Sequence, residues 1–174
     1  MPHSPTNALS LSRLALRIAS ALNRLLGLLI FVLLVASLVS GEWVMRALGF
    51  QPTGSIGPLI LGARLVMVIG ILGVAVTDIA LTRLRAIVAT VRLGDPFVAE
   101  NAVRLKQIAW AVLGLELLHL CVGIVEAAIS SAAAPIDLNW RFSLTPWLAV
   151  LLLFVLAEVF DLGTRMREEL EGTV

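Results

Sequence analysis

Residues 25–44 read LLGLLIFVLLVASLVSGEWV, with Glu42 as the only charged residue. A helix needs about 20 mostly apolar residues to cross the hydrocarbon core of a bilayer, so this stretch predicts a transmembrane span. A cleaved signal peptide is the alternative for an apolar segment near an N-terminus. We do not favour cleavage, because the apolar region is long for a signal peptide and Leu38 is poorly suited to a cut after Ser40.

Three more apolar stretches follow, at about residues 58–80, 107–128 and 142–160. The 174-residue chain is 59% hydrophobic and 14% charged. An ordinary soluble domain is about 45–50% apolar and about 25% charged, so a water-soluble fold of this chain would have too few charged groups to cover its surface. The sequence therefore predicts one all-α transmembrane domain, residues 1–174, embedded in the lipid bilayer as a four-helix bundle.

The connection between the second and third spans is predicted to be a helical hairpin with almost no loop. Apolar residues repeat at helical spacing before Gly94, which lies where the residue after a helix end is commonly glycine. Asp95 and Pro96 are typical of a helix N-cap and of a first-turn proline. Each helix would extend about ten residues, roughly 15 Å, beyond the bilayer.

Both ends of the chain are more polar than its middle. Residues 1–8 are predicted to be a flexible tip, and residues 161–174 a charged helical tail. Residues 9–23 have an amphipathic pattern, with Arg13 and Arg17 on one face and leucines opposite. Such a helix either lies on an anionic membrane surface or continues into the first span while its arginines reach the interface.

Lysine and arginine residues are concentrated on one side of this predicted topology. Three lie in the N-terminal segment, five in the hairpin and two in the tail, whereas Arg46 and Arg141 lie in the other connections. Because basic residues are enriched in cytoplasmic loops, the hairpin and both termini are predicted to be cytoplasmic. The net charge of +1 argues against direct nucleic-acid binding, which calls for a basic patch or stripe.

Ionisable residues within the predicted spans are functional candidates, because charge is costly to hold in a membrane. The predicted intramembrane polar cluster comprises Arg64, Glu116, His119 and Glu126. Antiparallel packing would put Arg64 at a depth between Glu116 and Glu126, so that Arg64 could pair with Glu116. A carboxylate beside an imidazole could exchange protons near neutral pH, although an ion pair that only fixes helix packing explains the same residues.

Two other acidic residues are predicted to lie nearer the cytoplasm. Asp78 and Glu158 are expected at the interface, paired with Arg83, Arg85 or Arg165.

Nothing in the sequence indicates an enzyme. The motifs HExxH, GxSxG and CxxC are absent, as are phosphate-binding glycine loops. With His3 and His119 as the only histidines, we predict no metal site, no cofactor and no catalytic residue. The single cysteine, Cys121, is predicted to be a small buried apolar residue.

Two stretches carry a family resemblance: Arg92-Leu-Gly-Asp-Pro-Phe97 with Asn101 and Arg104 after it, and residues 159–174. They resemble the bacterial domain of unknown function 2975 family, whose members are small membrane proteins with about four spans, a Gly-x-Pro-Phe hairpin and an acidic tail. The resemblance would extend from the first span to the end of the chain. This tail ends Glu-Leu-Glu-Gly-Thr-Val, with a glycine where the family more often continues from acidic-Leu directly to Thr-Val.

The resemblance implies a protein of the bacterial inner membrane whose relatives are often encoded beside small helix-turn-helix regulators. We therefore predict a non-enzymatic signalling or regulatory protein that docks a cytoplasmic protein, such as a transcriptional regulator, through its hairpin and tail. The residues expected to form this surface are Gly94, Asp95, Pro96, Phe97, Asn101 and Arg104 in the hairpin and Arg165, Arg167, Glu168 and Glu169 in the tail. The alternative is a small ion-coupled transporter, a homo-oligomer, that uses Arg64, Glu116 and His119.

Overall fold

The computed structural model describes residues 5–47, 49, 56–133 and 143–171. The helices in these ranges are α1 (Pro5–Val39), α2 (Gly41–Ala47), α3 (Ile56–Arg92), α4 (Ala99–Ala133) and α5 (Thr145–Glu171). The described residues contain no strand. Four of these helices, all but the short α2, are long and apolar enough to cross a membrane. The protein is therefore an all-helical, multi-pass membrane protein.

The N-terminal amphipathic segment is part of the first long helix. Residues 1–4 of the predicted tip lie outside the described residues, and α1 runs without a break from Pro5 to Val39. Arg85 of α3 donates a hydrogen bond to the backbone oxygen of Leu16, so α3 packs against the amphipathic segment of α1. Of the two arrangements considered for residues 9–23, the structure has the continuous helix.

The four long helices form a row. Among the described residues, Cα atoms lie within 8 Å between α1 and α3, α3 and α4, and α4 and α5, and no such approach joins α1 to α4 or α5. A closed bundle would also bring the outer helices α1 and α5 together. The predicted all-α membrane fold is confirmed, but its helices lie in an open layer in the order α1, α3, α4, α5.

Small residues allow the helices of this layer to approach closely. A Cβ atom placed on Gly62 would lie 1.9 Å from Cδ1 of Ile129, and one on Gly27 would lie 2.7 Å from Cγ1 of Val74. Two carbon atoms in contact are normally about 3.5–4.0 Å apart. Close approach at small residues is how helices gain packing energy in lipid, where burial of apolar groups from water supplies none.

The second helix overlaps the end of the first predicted span, residues 25–44, and the start of the connection after it. Residues 41–47 form α2, which buries Met45 completely against Leu59 and Ile129. This apolar cluster lies at the end of the layer opposite the α3–α4 turn. We call that end the far end, and we call the opposite end, with the α3–α4 turn, the hairpin end.

Candidate functional site

The α3–α4 turn is built around one glycine. Gly94 has a φ of 83°, a left-handed conformation that favours glycine. Its N–H donates to the oxygen of Val91, and the N–H of Asp95 donates to the oxygen of Thr90, each at 3.2 Å. These two bonds satisfy the last carbonyls of α3 in the Schellman arrangement, as predicted for Gly94. The predicted N-cap role of Asp95 is wrong, because α4 begins only at Ala99.

A buried amide holds the two sides of the turn together. Asn101 is fully buried, and its Nδ2 donates to Thr90 Oγ1 at 2.7 Å and to the oxygen of Pro96 at 2.9 Å. Its Oδ1 accepts from Nη1 of Arg104 at 2.7 Å. Thr90 in turn donates to the oxygen of Ile87 at 2.8 Å. Asn101 therefore links the end of α3, the turn and the start of α4.

The C-terminal helix packs against this turn. The ring of Phe97 lies 5.3 Å from that of Phe160 between centroids, and a Cβ on Gly163 would lie 3.1 Å from Cδ1 of Phe97. Arg167 forms an ion pair with Asp95. The hairpin and the tail, predicted as two docking elements, are therefore one continuous surface. We call it the hairpin–tail surface and define it as residues 93–104 and 160–169.

A shallow groove of about 280 Å³ crosses the hairpin–tail surface. Its lining residues come from the turn, the start of α4 and the last turns of α5, and they are Asp95, Phe97, Val98, Ala99, Glu100, Thr164, Arg167 and Glu168. Asp95 and Arg167 neutralise each other, whereas no ion pair among the described residues includes Glu100 or Glu168. The groove therefore has a net negative charge beside an apolar ring.

The other tail residues have local roles. Arg165 pairs with Asp161 at 2.8 Å, one helical turn earlier, and Glu169 is exposed on α5. Glu158 pairs with Lys106 at 2.7 Å, which corrects the predicted pairing with Arg83, Arg85 or Arg165. This ion pair links α5 to α4, whereas the Asp95–Arg167 pair links α5 to the turn.

The arginine of the predicted intramembrane cluster turns toward α1. Nε of Arg64 donates to Oγ of Ser37 at 3.1 Å, and its Nη2 donates to the backbone oxygen of Ser37. Ser37 is fully buried. No pattern in the sequence indicates this role of Ser37, because a lone serine in an apolar helix usually bonds to its own helix.

The packing register separates Arg64 from Glu116. Gly62 of α3 faces Ile129 of α4, and Gly73 faces Leu115. By this register Glu116 is level with residues 72–75, which is at least eight residues, or roughly 12 Å along the axis, from Arg64. The predicted Arg64–Glu116 pair is accordingly absent from the ion pairs of the described residues.

The remaining members of that cluster, Glu126 and His119, have different surroundings. Glu126 is half-buried near the level of Arg64 but forms no ion pair with another described residue, and His119 is exposed on α4. Cys121 is also exposed, so its predicted burial is wrong. An exposed side chain on a spanning helix faces lipid, which suits a small apolar thiol as well as a protein interior does.

Polar contacts between α1 and α3 lie outside the sequence-based predictions. Nδ2 of Asn23 donates to the oxygen of Val74 at 3.0 Å. Arg24 pairs with Asp78 at 3.2 Å, in place of the predicted partners of Asp78 on α3 and α5. Both residues of α1 lie on the face toward α3, and only the register of the two helices brings them to their partners.

The hairpin and the tail both lie in the part of the chain that matches a known family. The family model described as "Protein of unknown function (DUF2975)" matches residues 44–174. The chain belongs to this family. The DUF2975 match contains the whole hairpin–tail surface and confirms the resemblance predicted from it, but it begins at Val44 and leaves α1 outside. No curated protein and no solved structure matches the chain.

Proposed function

We propose that this DUF2975 protein is a non-enzymatic signalling or regulatory protein that docks a cytoplasmic protein on its hairpin–tail surface. The observation that carries the proposal is the union of hairpin and tail into one surface, held by the Asp95–Arg167 ion pair and the Phe97–Phe160 contact. A partner bound there would contact the α3–α4 turn and α5 at once. Movement of either helix would then change the partner's affinity, which is what a membrane signal requires.

The charge distribution supports a cytoplasmic position for this surface. The hairpin end carries ten of the thirteen Lys and Arg residues, and the positive-inside rule assigns such an end to the cytoplasm. In this orientation the protein lies in the inner membrane of a bacterium with both termini in the cytoplasm. Fusion of a reporter active only in the cytoplasm to residue 174 tests it.

The chemistry of the groove favours a partner with a basic segment. Glu100 and Glu168 are exposed and lie outside the ion pairs of the described residues. Phe97, which lines the same groove, is 44% exposed. A segment with arginine or lysine next to an apolar side chain would satisfy both features. Helix-turn-helix regulators carry basic surfaces of this kind, because they bind phosphates of DNA.

Affinity purification from native membranes tests the docking proposal. The full chain is compared with a chain truncated after Gly163 and with the double variant Glu100→Gln/Glu168→Gln. The matched control is Glu42→Gln/Glu126→Gln, which removes the same charge at the far end. We expect a DNA-binding protein to co-purify with the full chain and the control, and to be lost from the truncated chain and reduced by the groove variant.

Two results would overturn the proposal. One is the absence of any soluble protein from the full-chain sample. The other is equal recovery of the same protein from all four chains, because binding would then occur away from the hairpin–tail surface.

A further inference from the structure

A second groove at the hairpin end is lined by arginines from two helices. It lies between α1 and α3, has a volume of about 250 Å³, and is lined by Arg13, Leu16, Arg17, Arg85 and Val88. None of the described residues that line it is acidic. The nearest acid along α3 is Asp78, about two helical turns from Arg85, and Asp78 is already paired with Arg24.

The guanidinium of Arg85 is fixed by one hydrogen bond, and its Nε donor has no partner. Its Nη2 donates to the backbone oxygen of Leu16 at 2.9 Å, which fixes the guanidinium between the two helices. Its Nε is buried and has no hydrogen-bond partner. A buried cationic donor without an acceptor is unfavourable, so the arrangement points to an acceptor that comes from outside the chain.

The guanidinium donors of this groove and their position indicate which ligand binds there. Guanidinium groups bind phosphate oxygens through paired N–H donors, and three converging arginines suit an anion rather than a neutral group. Arg17 precedes the predicted first span, residues 25–44, by eight residues, so the groove lies roughly 12 Å from its start, near the headgroup layer. The side chains of Leu16 and Val88 add apolar surface to the groove beside the three arginines.

We propose that Arg13, Arg17 and Arg85 bind the headgroup phosphate of an acidic phospholipid. Basic pockets between transmembrane helices recognise anionic headgroups in this way. The bound lipid would bridge α1 and α3 at the hairpin end and supply the acceptor for Nε of Arg85. The proposal does not depend on the docking function proposed above, since it requires only that the chain spans a bilayer.

Native mass spectrometry of the full chain in mild detergent tests the proposal. The protein is incubated with equal amounts of phosphatidylglycerol and phosphatidylcholine, and the lipid retained is measured. We expect the wild-type chain to retain phosphatidylglycerol preferentially. Arg85→Gln should weaken that retention about tenfold, as for the loss of a charge-assisted hydrogen bond.

Further variants separate a binding defect from a folding defect. Arg13→Gln/Arg17→Gln changes two exposed side chains, so the helices should remain packed while lipid retention falls. Arg92→Gln is the control, because it removes an exposed arginine at the same end of α3 without touching the groove. It should retain lipid like the wild type.

Three outcomes would overturn the proposal. The first is unchanged phosphatidylglycerol retention in Arg13→Gln/Arg17→Gln. The second is an equal loss in Arg92→Gln, which would reflect only total charge. The third is equal retention of the two lipids when millimolar inorganic phosphate stabilises the wild type, but not the groove variants, against unfolding. That result would identify a site for free phosphate.

Discussion

The two ends of the α3–α4 pair are held by different physical forces. At the hairpin end, hydrogen bonds of the buried Asn101 and the Asp95–Arg167 ion pair join α3, α4 and α5. At the far end, Gly62 lets Ile129 approach the backbone of α3, and Met45 covers the contact. Directional polar bonds specify one geometry at the hairpin end, where water is near. Close packing of small and apolar groups holds the helices together inside the bilayer.

Loss of the buried amide should break the hairpin end most severely. Asn101→Leu leaves Thr90 Oγ1, the oxygen of Pro96 and Arg104 without their present partner. Buried groups without partners cost about 1–3 kcal/mol, so we expect the free energy of unfolding to fall by roughly 3 kcal/mol. Reversible unfolding in mixed micelles measures it. Asn23→Leu is the control and should have a smaller effect, because it removes only one side-chain hydrogen bond between α1 and α3.

Overpacking at the far end should have the next largest effect. In Gly62→Ala the new methyl group would lie 1.9 Å from Cδ1 of Ile129, so one side chain or helix must move. Overpacked sites typically lose about 1–3 kcal/mol. Gly114→Ala should be neutral, because the new atom would lie 3.9 Å from Cγ1 of Val76. Ile129→Val combined with Gly62→Ala should recover part of the lost stability. Equal stability of both glycine variants would contradict the packing argument.

Removal of the aromatic contact should loosen the tail without unfolding the layer. Phe97→Ala removes the ring that packs on Phe160 and Gly163. Aromatic pairs contribute about 0.5–1.5 kcal/mol beyond burial, so we expect faster amide hydrogen exchange in residues 160–169 while the far end is unchanged. Phe154→Ala serves as the comparison, because it removes a different ring of α5, the one that packs on Trp110.

The ion pair on the surface should contribute least. Asp95 and Arg167 are each more than 40% exposed, and pairs of this kind contribute about 0.2–1 kcal/mol. A double-mutant cycle with Asp95→Ala and Arg167→Ala should give a coupling energy in that range, reduced at high salt because ions screen the pair. A coupling energy that is larger and independent of salt would mean that the pair is shielded from water by a bound partner or by lipid.

The transporter alternative makes a separate prediction about the spans. Since Arg64 bonds to Ser37 and lies about eight residues from the level of Glu116, we expect Glu116→Gln to leave any proton flux in vesicles unchanged. A pH-dependent flux in the wild type that this substitution abolishes would restore the ion-coupled function.

Much of the fold could be predicted because its causes are local. The spans follow from apolar length, and the end of α3 follows from Gly94, whose positive φ favours glycine. The N-cap prediction for Asp95 failed because an acid before a proline has the same pattern whether it caps a helix or pairs with a distant arginine. Asp95 takes the second role, since α5 brings Arg167 to it.

The polar residues of the spans were harder to assign. Composition identified Arg64, Glu116 and Glu126 as unusual, but their partners depend on the relative shift of two helices. A shift of eight residues changes which side chains meet and leaves the hydrophobic pattern of either helix unaltered. The contacts of Gly62 with Ile129 and of Gly73 with Leu115 belong to the register that the structure adopts, and nothing local in the sequence marks those partners.

By itself, the sequence determined that the chain is a helical multi-pass membrane protein with a tight turn at Gly94, because bilayer thickness and backbone sterics act on each segment separately. The tertiary structure alone decided that the helices form an open row, that Arg64 bonds to α1, and that hairpin and tail become one surface. These features depend on side-chain packing between segments far apart in the chain, and that packing fixes the lateral order and register that periodicity leaves open.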